Sequence, residues 1–186
     1  TGGNFATLAD LQASKPRDNT VLYCAERGNA KYIKKASGYV ALAGDVTLNN
    51  GGILQLQING KANATWFGIN TAADQASAIN NAFNRGVDLF FPKGIYNVHD
   101  INLQGCGING EAGTVWKETG QSASYTITDT QQGSLHINKI EFDGNNHDDI
   151  KLMDLENKEH VVFKDIEIKN YIDRCVFFNQ SVSEVQ

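Results

Sequence analysis

One pattern of apolar and polar positions recurs three times in the second half of the chain. Each copy reads apolar-x-apolar-x-x-apolar-x-apolar-x, followed by Gly or Asn. The copies begin at Tyr96, Leu135 and Val161, so the first interval is longer than the second. The matched positions are Tyr96, Val98, Ile101, Leu103 and Gly105, then Leu135, Ile137, Ile140, Phe142 and Gly144, and then Val161, Phe163, Ile166, Ile168 and Asn170.

The spacing of this pattern predicts stacked β-strands. Two apolar residues separated by one position place one face of a strand inward, and the longer gap that follows shifts the phase, as at a bend or bulge. Gly or Asn then tolerates the positive φ of a turn. Copies stacked about 4.8 Å apart bury a continuous apolar column that one copy cannot bury alone. The repeat therefore favours a right-handed parallel β-helix over its alternative, three amphipathic strands of an antiparallel sandwich.

A helical pattern precedes the first copy. Between Asp74 and Arg85 the apolar residues fall on one stripe, Asp74 can cap the helix, and Gly86 follows its end. Residues 87–91 then predict a short strand. The first coil of a β-helix has an open apolar end with unpaired strand edges, so we expect this helix to cover it. The stripe consists of Ala76, Ile79, Ala82 and Phe83.

The first sixty residues predict a small β-rich unit. Thr7 and Asp10 indicate the start of a short helix that ends before Pro16. Strands are predicted at 20–25, 30–35, 39–42, 45–48 and 53–58, with a hairpin turn at Asn49–Gly52 and a linker at 59–65. The fold class is therefore all-β. A small β-rich N-terminal domain at 1–62 precedes a domain at 63–186, which holds the capping helix and the first coils of the β-helix.

The distance between the first two copies predicts an insertion. The segment 106–134 is longer than the later spacing requires, and 114–116 and 125–128 read as extra strands within it. Ile150 and Leu152 predict a further strand of the coil, which Val176 and Phe178 repeat at the interval of the last two copies. The chain stops at Gln186 before another coil is complete, so we expect a fragment of a longer protein.

Composition and charge exclude several classes of protein. Hydrophobic residues are 41% of the chain and charged residues 20%, and the net charge is −5 without a basic stripe, so nucleic acid is not an expected partner. The apolar runs are too short to span a bilayer, and no signal peptide is visible. Cys24, Cys106 and Cys175 match neither a disulfide framework nor a zinc site, and we expect buried, reduced thiols.

Two glutamates are the candidate catalytic residues. Glu141 and Glu167 occupy the same position in the second and third copies, between inward-facing residues, so both point outward about 4.8 Å apart. Carboxylates near 5 Å suit a retaining glycosidase. The alternative is a solvated outer face on which Lys139 and Lys169 reduce the repulsion between them. The sequence identifies no other ligand-binding residues.

Other motifs predict structure rather than chemistry. Residues 105–110 match G-x-G-x-x-G, but no convincing helix follows, so they read as turn glycines. The polar loop 143–149 lacks calcium-loop spacing, and three histidines show no metal-site spacing, so we expect no metal and no cofactor. These histidines are His99, His136 and His160. The aromatic residues that could stack on sugars or pack in a core are Trp66, Trp116, Tyr125 and Tyr171.

Several short segments resemble the start of pectate-lyase-like β-helix proteins. They are Trp66–Gly68, Asp74–Ile79 and Phe91–Tyr96, while Phe142–Asn146 resembles a recurrent coil ending of that family. Gln75 and Ala76 depart from the Asp and Thr usual there. With a small β-rich domain ahead and no visible secretion signal, the chain resembles the N-terminal part of a bacteriophage tailspike.

This resemblance implies a homotrimer in the virion tail, attached to the tail or an adaptor protein through its first sixty residues. It would fold in the host cytoplasm and bind polysaccharide, O-antigen or capsule, at the bacterial surface. The parent protein would be a depolymerase, either a glycosidase or a lyase, while this piece, with few coils and little groove, would be inactive. The alternatives are a secreted pectate-lyase-like lyase or glycosidase that acts without a virion, and a structural adhesin.

Overall fold

A five-stranded sheet and one short helix form the N-terminal unit. The chain is described in a computed structural model at residues 2–147, 149–172, 176–179 and 184–185. The sheet order is β1-β2-β3-β5-β4. Its elements are β1 (Gly3–Phe5), α1 (Leu8–Ala13), β2 (Val21–Cys24), β3 (Ala30–Lys34), β4 (Val46–Thr47) and β5 (Ile53–Leu56). The helix begins as predicted, because the Thr7 hydroxyl accepts a hydrogen bond from the Asp10 N–H at 3.1 Å.

The remaining strands form three parallel sheets, which are the sides of a β-helix. Sheet 1 contains β6 (Ala62–Asn63), β7 (Leu89–Phe91), β10 (Ile108–Gly110), β13 (Gly133–Asn138), β16 (Lys158–Lys164) and β19 (Glu184–Val185). Sheet 2 contains β8 (Gly94–Val98), β11 (Thr114–Glu118), β14 (Glu141–Asp143) and β17 (Glu167–Lys169). Sheet 3 contains β9 (Ile101–Asn102), β12 (Tyr125–Asp129), β15 (Lys151–Glu156) and β18 (Val176–Asn179). Each list follows the spatial order, so the predicted parallel β-helix is confirmed.

The second and third copies of the repeat stack as predicted. Leu135 pairs with Val161 and Ile137 with Phe163 in sheet 1, and Phe142 pairs with Ile168 in sheet 2. The side chains of the second copy are almost completely buried between neighbouring coils. The interval from Leu135 to Val161 is therefore one full turn of the β-helix.

The first copy lies on a different side of its coil from the one predicted. Tyr96 lies in sheet 2, where it pairs with Trp116, which in turn pairs with Phe142. The segment 106–134 is not an insertion, because β10, β11 and β12 form a complete coil. The reason is physical: all three sides of a coil alternate inward and outward residues, so alternation alone does not tell one side from another.

The register of the last pair in sheet 3 also differs from the prediction. Val176 and Phe178 pair with Met153 and Leu155 rather than with the predicted Ile150 and Leu152. Leu152, Met153 and Leu155 are all buried. Because two of them are adjacent, the apolar pattern does not fix the phase of this strand.

Two predictions in the N-terminal half were wrong. Residues 39–42 form an irregular segment rather than a strand, and the side chain of Val40 is 77% exposed. The Asp45 carboxylate holds this segment by accepting hydrogen bonds from the Tyr39 hydroxyl and the Leu42 N–H, both at 2.9 Å. The predicted linker at 59–65 contains β6 and the start of a 3₁₀ helix, Ala64–Phe67, and Ala62 is completely buried.

The helix α2 (Ala76–Phe83) and its flanks cover the first coil, as predicted. In sheet 1, β6 pairs with β7. In sheet 2, Asp74 forms a parallel bridge with Asn97 of β8. In sheet 3, the Asn80 side chain accepts a hydrogen bond from the Asn102 N–H at 2.8 Å. Each of the three sheets is therefore contacted at this end by the segment that contains β6, Asp74 and α2.

Two clusters of buried apolar side chains stabilise the structure, one in the N-terminal unit and one inside the β-helix. An aromatic column runs through the second cluster, with Trp116 between Phe91 and Phe142 at ring-centroid distances of 5.1 and 6.0 Å. Edge-to-face contacts of this kind add to the free energy of apolar burial. Among the described residues, no helix has the length and apolar character to cross a membrane.

Candidate functional site

Sheet 2 places Glu141 and Glu167 side by side on the outside of the β-helix. The two residues are direct partners in the register of β14 and β17. Phe142 is completely buried, and because side chains alternate along a strand its neighbour Glu141 faces outward. The predicted pairing of the two residues on the outer face is therefore present, while the catalytic role stays a prediction.

A lysine lies between the two carboxylates. Lys169 Nζ is 3.0 Å from Glu141 Oε1 and 3.4 Å from Glu167 Oε1. The side chains of Glu141, Glu167 and Lys169 are 26%, 64% and 41% exposed. The hydrogen bond to Glu141, with the smaller contribution of Glu167, raises the pKa of Lys169. Because exposed ion pairs contribute little net free energy, an incoming ligand can replace these contacts at small cost.

The outer face of sheet 2 consists of two columns of side chains. The first column changes from apolar to acidic along the helix axis and contains Ile95, Val115, Glu141 and Glu167. The second is mostly charged and contains Asn97, Lys117, Asp143 and Lys169. Ile95 is 54% exposed, and Val115 lies between it and Glu141 in the same column.

Asp143 is the partly buried anion of the second column. Burial opposes its ionisation, but the Asn170 side chain and the Asn145 N–H donate hydrogen bonds at 2.8 and 2.9 Å. Together with the positive charges of Lys117 and Lys169, these bonds lower the pKa of Asp143 below its ordinary value. Asp143 therefore stays ionised and orders the coil ending from which Asn170 projects.

A groove of about 480 Å³ lies beside the two glutamates. It runs along the bend between sheets 1 and 2, where Lys139 and Asp165 adopt φ values of 56° and 54°. These residues occupy equivalent positions in the second and third copies of the repeat. The groove is lined by Ala112, Gly113, Thr114, Lys139, Ile140, Glu141, Asp165, Ile166 and Glu167.

The groove combines hydrogen-bond acceptors with an apolar surface. Ionised carboxylates only accept hydrogen bonds, so they suit a ligand rich in hydroxyl groups. The partly buried Ile166 provides an apolar contact. Both glutamates contact the same ammonium group, which suits two acceptors better than an acid that must donate a proton. The groove therefore presents hydrogen-bond acceptors next to an apolar surface.

The other candidate residues have structural contacts. Gly110 belongs to a strand, and a Cβ there would lie 2.1 Å from the Lys139 carbonyl oxygen, so close packing explains this glycine. In the polar loop, Asn145 Nδ2 lies 3.4 Å from His147 Nε2, while Asp148 is outside the described residues. Within the described ranges no three His, Cys, Asp or Glu side chains form a group suited to a metal ion.

The candidate histidines and tryptophans each have structural contacts of their own. His99 Nε2 contacts Asp74 Oδ2 at 2.7 Å, and the rings of His136 and His160 are 6.2 Å apart. Trp116 is completely buried and is not available to a sugar. Trp66 donates a hydrogen bond to the Gly28 carbonyl at 3.3 Å.

The two tyrosine candidates and two of the cysteines also have defined surroundings. Tyr171 lies 3.0 Å from Thr126 through the two hydroxyl oxygens, and Tyr125 lies under the Lys151 ammonium. Cys24 and Cys106 are buried free thiols, and burial raises the pKa of Cys106 to about 11. Cys175 lies outside the described residues.

Sequence reasoning did not recognise the groove. Asp165 was not considered, although it stands in the third copy where Lys139 stands in the second. The constant interval between these two copies was the signal that could have found it. Their side chains border one groove because both residues adopt the left-handed conformation at the same corner of successive coils.

Comparison with known proteins yields matches only at the level of structure. No family model and no curated protein matches the sequence. The tailspike protein of Acinetobacter phage vB_ApiP_P1 superposes with a TM-score of 0.69 and 15% identity over 98% of this chain and 39% of its own. The enzymatically active domain of bacteriophage CBA120 tailspike protein 4 gives 0.67 and 14%, over 97% of this chain and 32% of its own.

The chain has the fold of phage tailspikes. The enzymatically active domain of CBA120 tailspike protein 2 also matches, with a TM-score of 0.62 and 12% identity over 89% of this chain and 34% of its own. The predicted resemblance to tailspikes is therefore confirmed for the fold. The chain spans between about a third and two fifths of the tailspike chains it matches.

Proposed function

We propose that this chain is the part of a phage tailspike that begins the β-helix and binds polysaccharide at the bacterial surface. The observation that carries the proposal is the tailspike fold over 98% of the chain, which includes the N-terminal unit as well as the β-helix. In this proposal residues 1–62 form the virion-proximal domain, attached to the tail or an adaptor protein. Residues 63–186 form the start of the glycan-binding helix.

The groove beside Glu141 and Glu167 is the proposed contact for the glycan. Its carboxylates accept hydrogen bonds from sugar hydroxyls, Ile166 in its lining offers apolar surface to sugar C–H groups, and Val115 adds apolar surface next to Glu141. The complete tailspike would be a depolymerase, since two of the matching structures are described as enzymatically active domains. In this chain the two glutamates bind glycan, and their catalytic role as a retaining pair remains the alternative.

A binding experiment tests the site. The purified chain is presented to an array of bacterial O-antigens and capsules, and the double variant Glu141→Gln/Glu167→Gln is compared with it. We expect wild-type binding and at least about a tenfold loss in the variant, the equivalent of roughly 1.4 kcal/mol. Asp18→Asn, an exposed change in the N-terminal unit, is the matched control. Equal glycan binding and equal glycan cleavage by wild type and double variant would exclude a role for these glutamates.

Sedimentation equilibrium tests the proposed assembly. Three chains of 20.3 kDa in one particle would support the tailspike homotrimer. A monomer at every concentration would instead support the alternative, a secreted pectate-lyase-like lyase or glycosidase that acts without a virion.

A further inference from the structure

The charges around the groove bear on the class of saccharide that it accepts. Glu141, Asp165 and Glu167 contribute three carboxylates to its lining, whereas Lys139 contributes the single ammonium group among the lining residues. Lys169 stands next to the groove, but its ammonium group is already within 3.4 Å of both glutamates. Of Glu141, Glu167 and Lys169, the side chain of Glu167 is the most accessible, at 64% exposed. A ligand therefore meets carboxylate oxygens first.

Hydrogen-bond chemistry separates the possible ligands. A neutral sugar offers hydroxyl donors and an amino sugar offers ammonium donors, and both match carboxylate acceptors. The carboxylate of a uronic acid or a phosphate group offers acceptors alone, so it finds no donor in the three carboxylates and depends on Lys139 for one. It would also be repelled, since like charges juxtaposed across a binding surface are unfavourable.

The position of Lys169 shows where the site holds a positive charge. Its Nζ lies 3.0 Å from Glu141 and 3.4 Å from Glu167, so the two carboxylates together bind one ammonium group. The Lys169 side chain is 41% exposed and joins the glutamates by surface contacts alone. An amino group of a sugar can therefore bind to the same two carboxylates while the lysine side chain moves into water.

We propose that the Glu141–Glu167 groove selects neutral and amino-bearing saccharides and rejects acidic ones. This inference rests on the proposed function, because it assigns the substrate class of the same site. It concerns the sign of the charge on the ligand. The apolar Ile166 of the lining contacts sugar C–H groups whatever the charge, so discrimination depends on the carboxylates.

The test uses the full chain and an array of bacterial polysaccharides sorted by charge, with matched oligomers of glucosamine, glucose and glucuronic acid in one linkage. We expect the amino-bearing and neutral members to bind at least about tenfold more tightly than the acidic ones at low salt. In Glu141→Gln/Glu167→Gln the preference should shrink by a similar factor, and added salt should weaken it. Lys139→Gln is the control, because it removes a positive charge from the lining instead of two negative ones. It should leave the preference in place or increase it. Circular dichroism confirms that each variant is folded.

The outcomes separate the two proposals. Binding of acidic polysaccharides that is lost in Lys139→Gln would overturn the selectivity and leave the binding function intact. An unchanged preference in the double glutamate variant would also overturn it, because the preference would then arise elsewhere. No binding to any member of the array, by wild type or variants, would overturn the proposed function itself.

Discussion

Replacing Arg85 by Met tests the buried ion pair that joins the N-terminal unit to the β-helix. Arg85 Nη1 lies 2.8 Å from Asp45 Oδ1, and Nη2 donates a hydrogen bond to the Leu56 carbonyl at 3.0 Å. The Asp45 side chain is completely buried, and that of Arg85 is 10% exposed. Asp45 also accepts hydrogen bonds from the Leu56 N–H and the Tyr39 hydroxyl. Met keeps much of the arginine volume but leaves the buried carboxylate without its cation.

The expected cost follows from this burial. Removing one partner of a buried ion pair lowers the free energy of unfolding by about 3–5 kcal/mol, a large share of the roughly 5–15 kcal/mol that stabilises a typical domain. For a chain of this length the melting temperature should fall by roughly 6–20 °C. Urea unfolding followed by circular dichroism measures the loss. Asp18→Asn is the control, because it removes an exposed contact with Lys34 and should cost less than about 1 kcal/mol.

A second substitution sharpens the test. Asp45→Asn in the Arg85→Met background removes the unpaired charge while keeping a side-chain oxygen for the Leu56 N–H, so part of the lost stability should return. If Arg85→Met and the Asp18→Asn control lower the free energy of unfolding by the same small amount, Asp45 is solvated in solution and the reasoning from burial is wrong.

Three further predictions concern the β-helix core and the small unit. Gly110→Ala should lower the free energy of unfolding by about 1–3 kcal/mol or more, because its Cβ would meet a backbone oxygen at 2.1 Å; a neutral effect in urea unfolding would contradict this. Lys158→Met should cost about 3–5 kcal/mol, because it leaves Asp129 buried without the ammonium group now 2.9 Å away; a rise in melting temperature would refute it. Burial raises the pKa of Tyr32 from 10.0 to about 12, so the folded chain keeps a proton that the unfolded chain releases. Stability should therefore be full below about pH 10 and fall as the pH rises toward 12. Tyr32→Phe should make that fall shallower, and an identical pH slope in both proteins would contradict the assignment.

The β-helix was predictable from sequence where its pattern is local and periodic. Leu135 and Val161 stack because alternation fixes which residues face inward and a constant offset between the last two copies fixes the register. The same alternation placed Glu141 and Glu167 correctly on the outer face. Tyr96 was assigned to the wrong side because each side of a coil has this alternation, and only the complete count of strands tells them apart.

The groove and the buried charges depend on contacts that sequence does not show. Arg85 and Asp45 lie 40 residues apart, one after the capping helix and the other in the N-terminal unit, and each alone has the character of a surface residue. The sequence is equally compatible with a Trp116 that contacts sugar and with one that packs in the core. The contacts of its ring with Phe91 and Phe142 place it in the core. Lys139 and Asp165, which line the groove, both adopt a left-handed φ, a conformation uncommon for residues other than glycine, asparagine and aspartate.

The cover over the first coil affects how that end of the solenoid can act as a template for other chains. Strand edges with free N–H and C=O groups recruit foreign segments in a manner that leads to amyloid-like stacking. At the end where β6, Asp74 and α2 lie, some of those groups already have partners in the same chain. A neighbouring molecule that approaches from this direction therefore meets fewer free backbone groups, and this end is a poorer starting point for fibrillar growth.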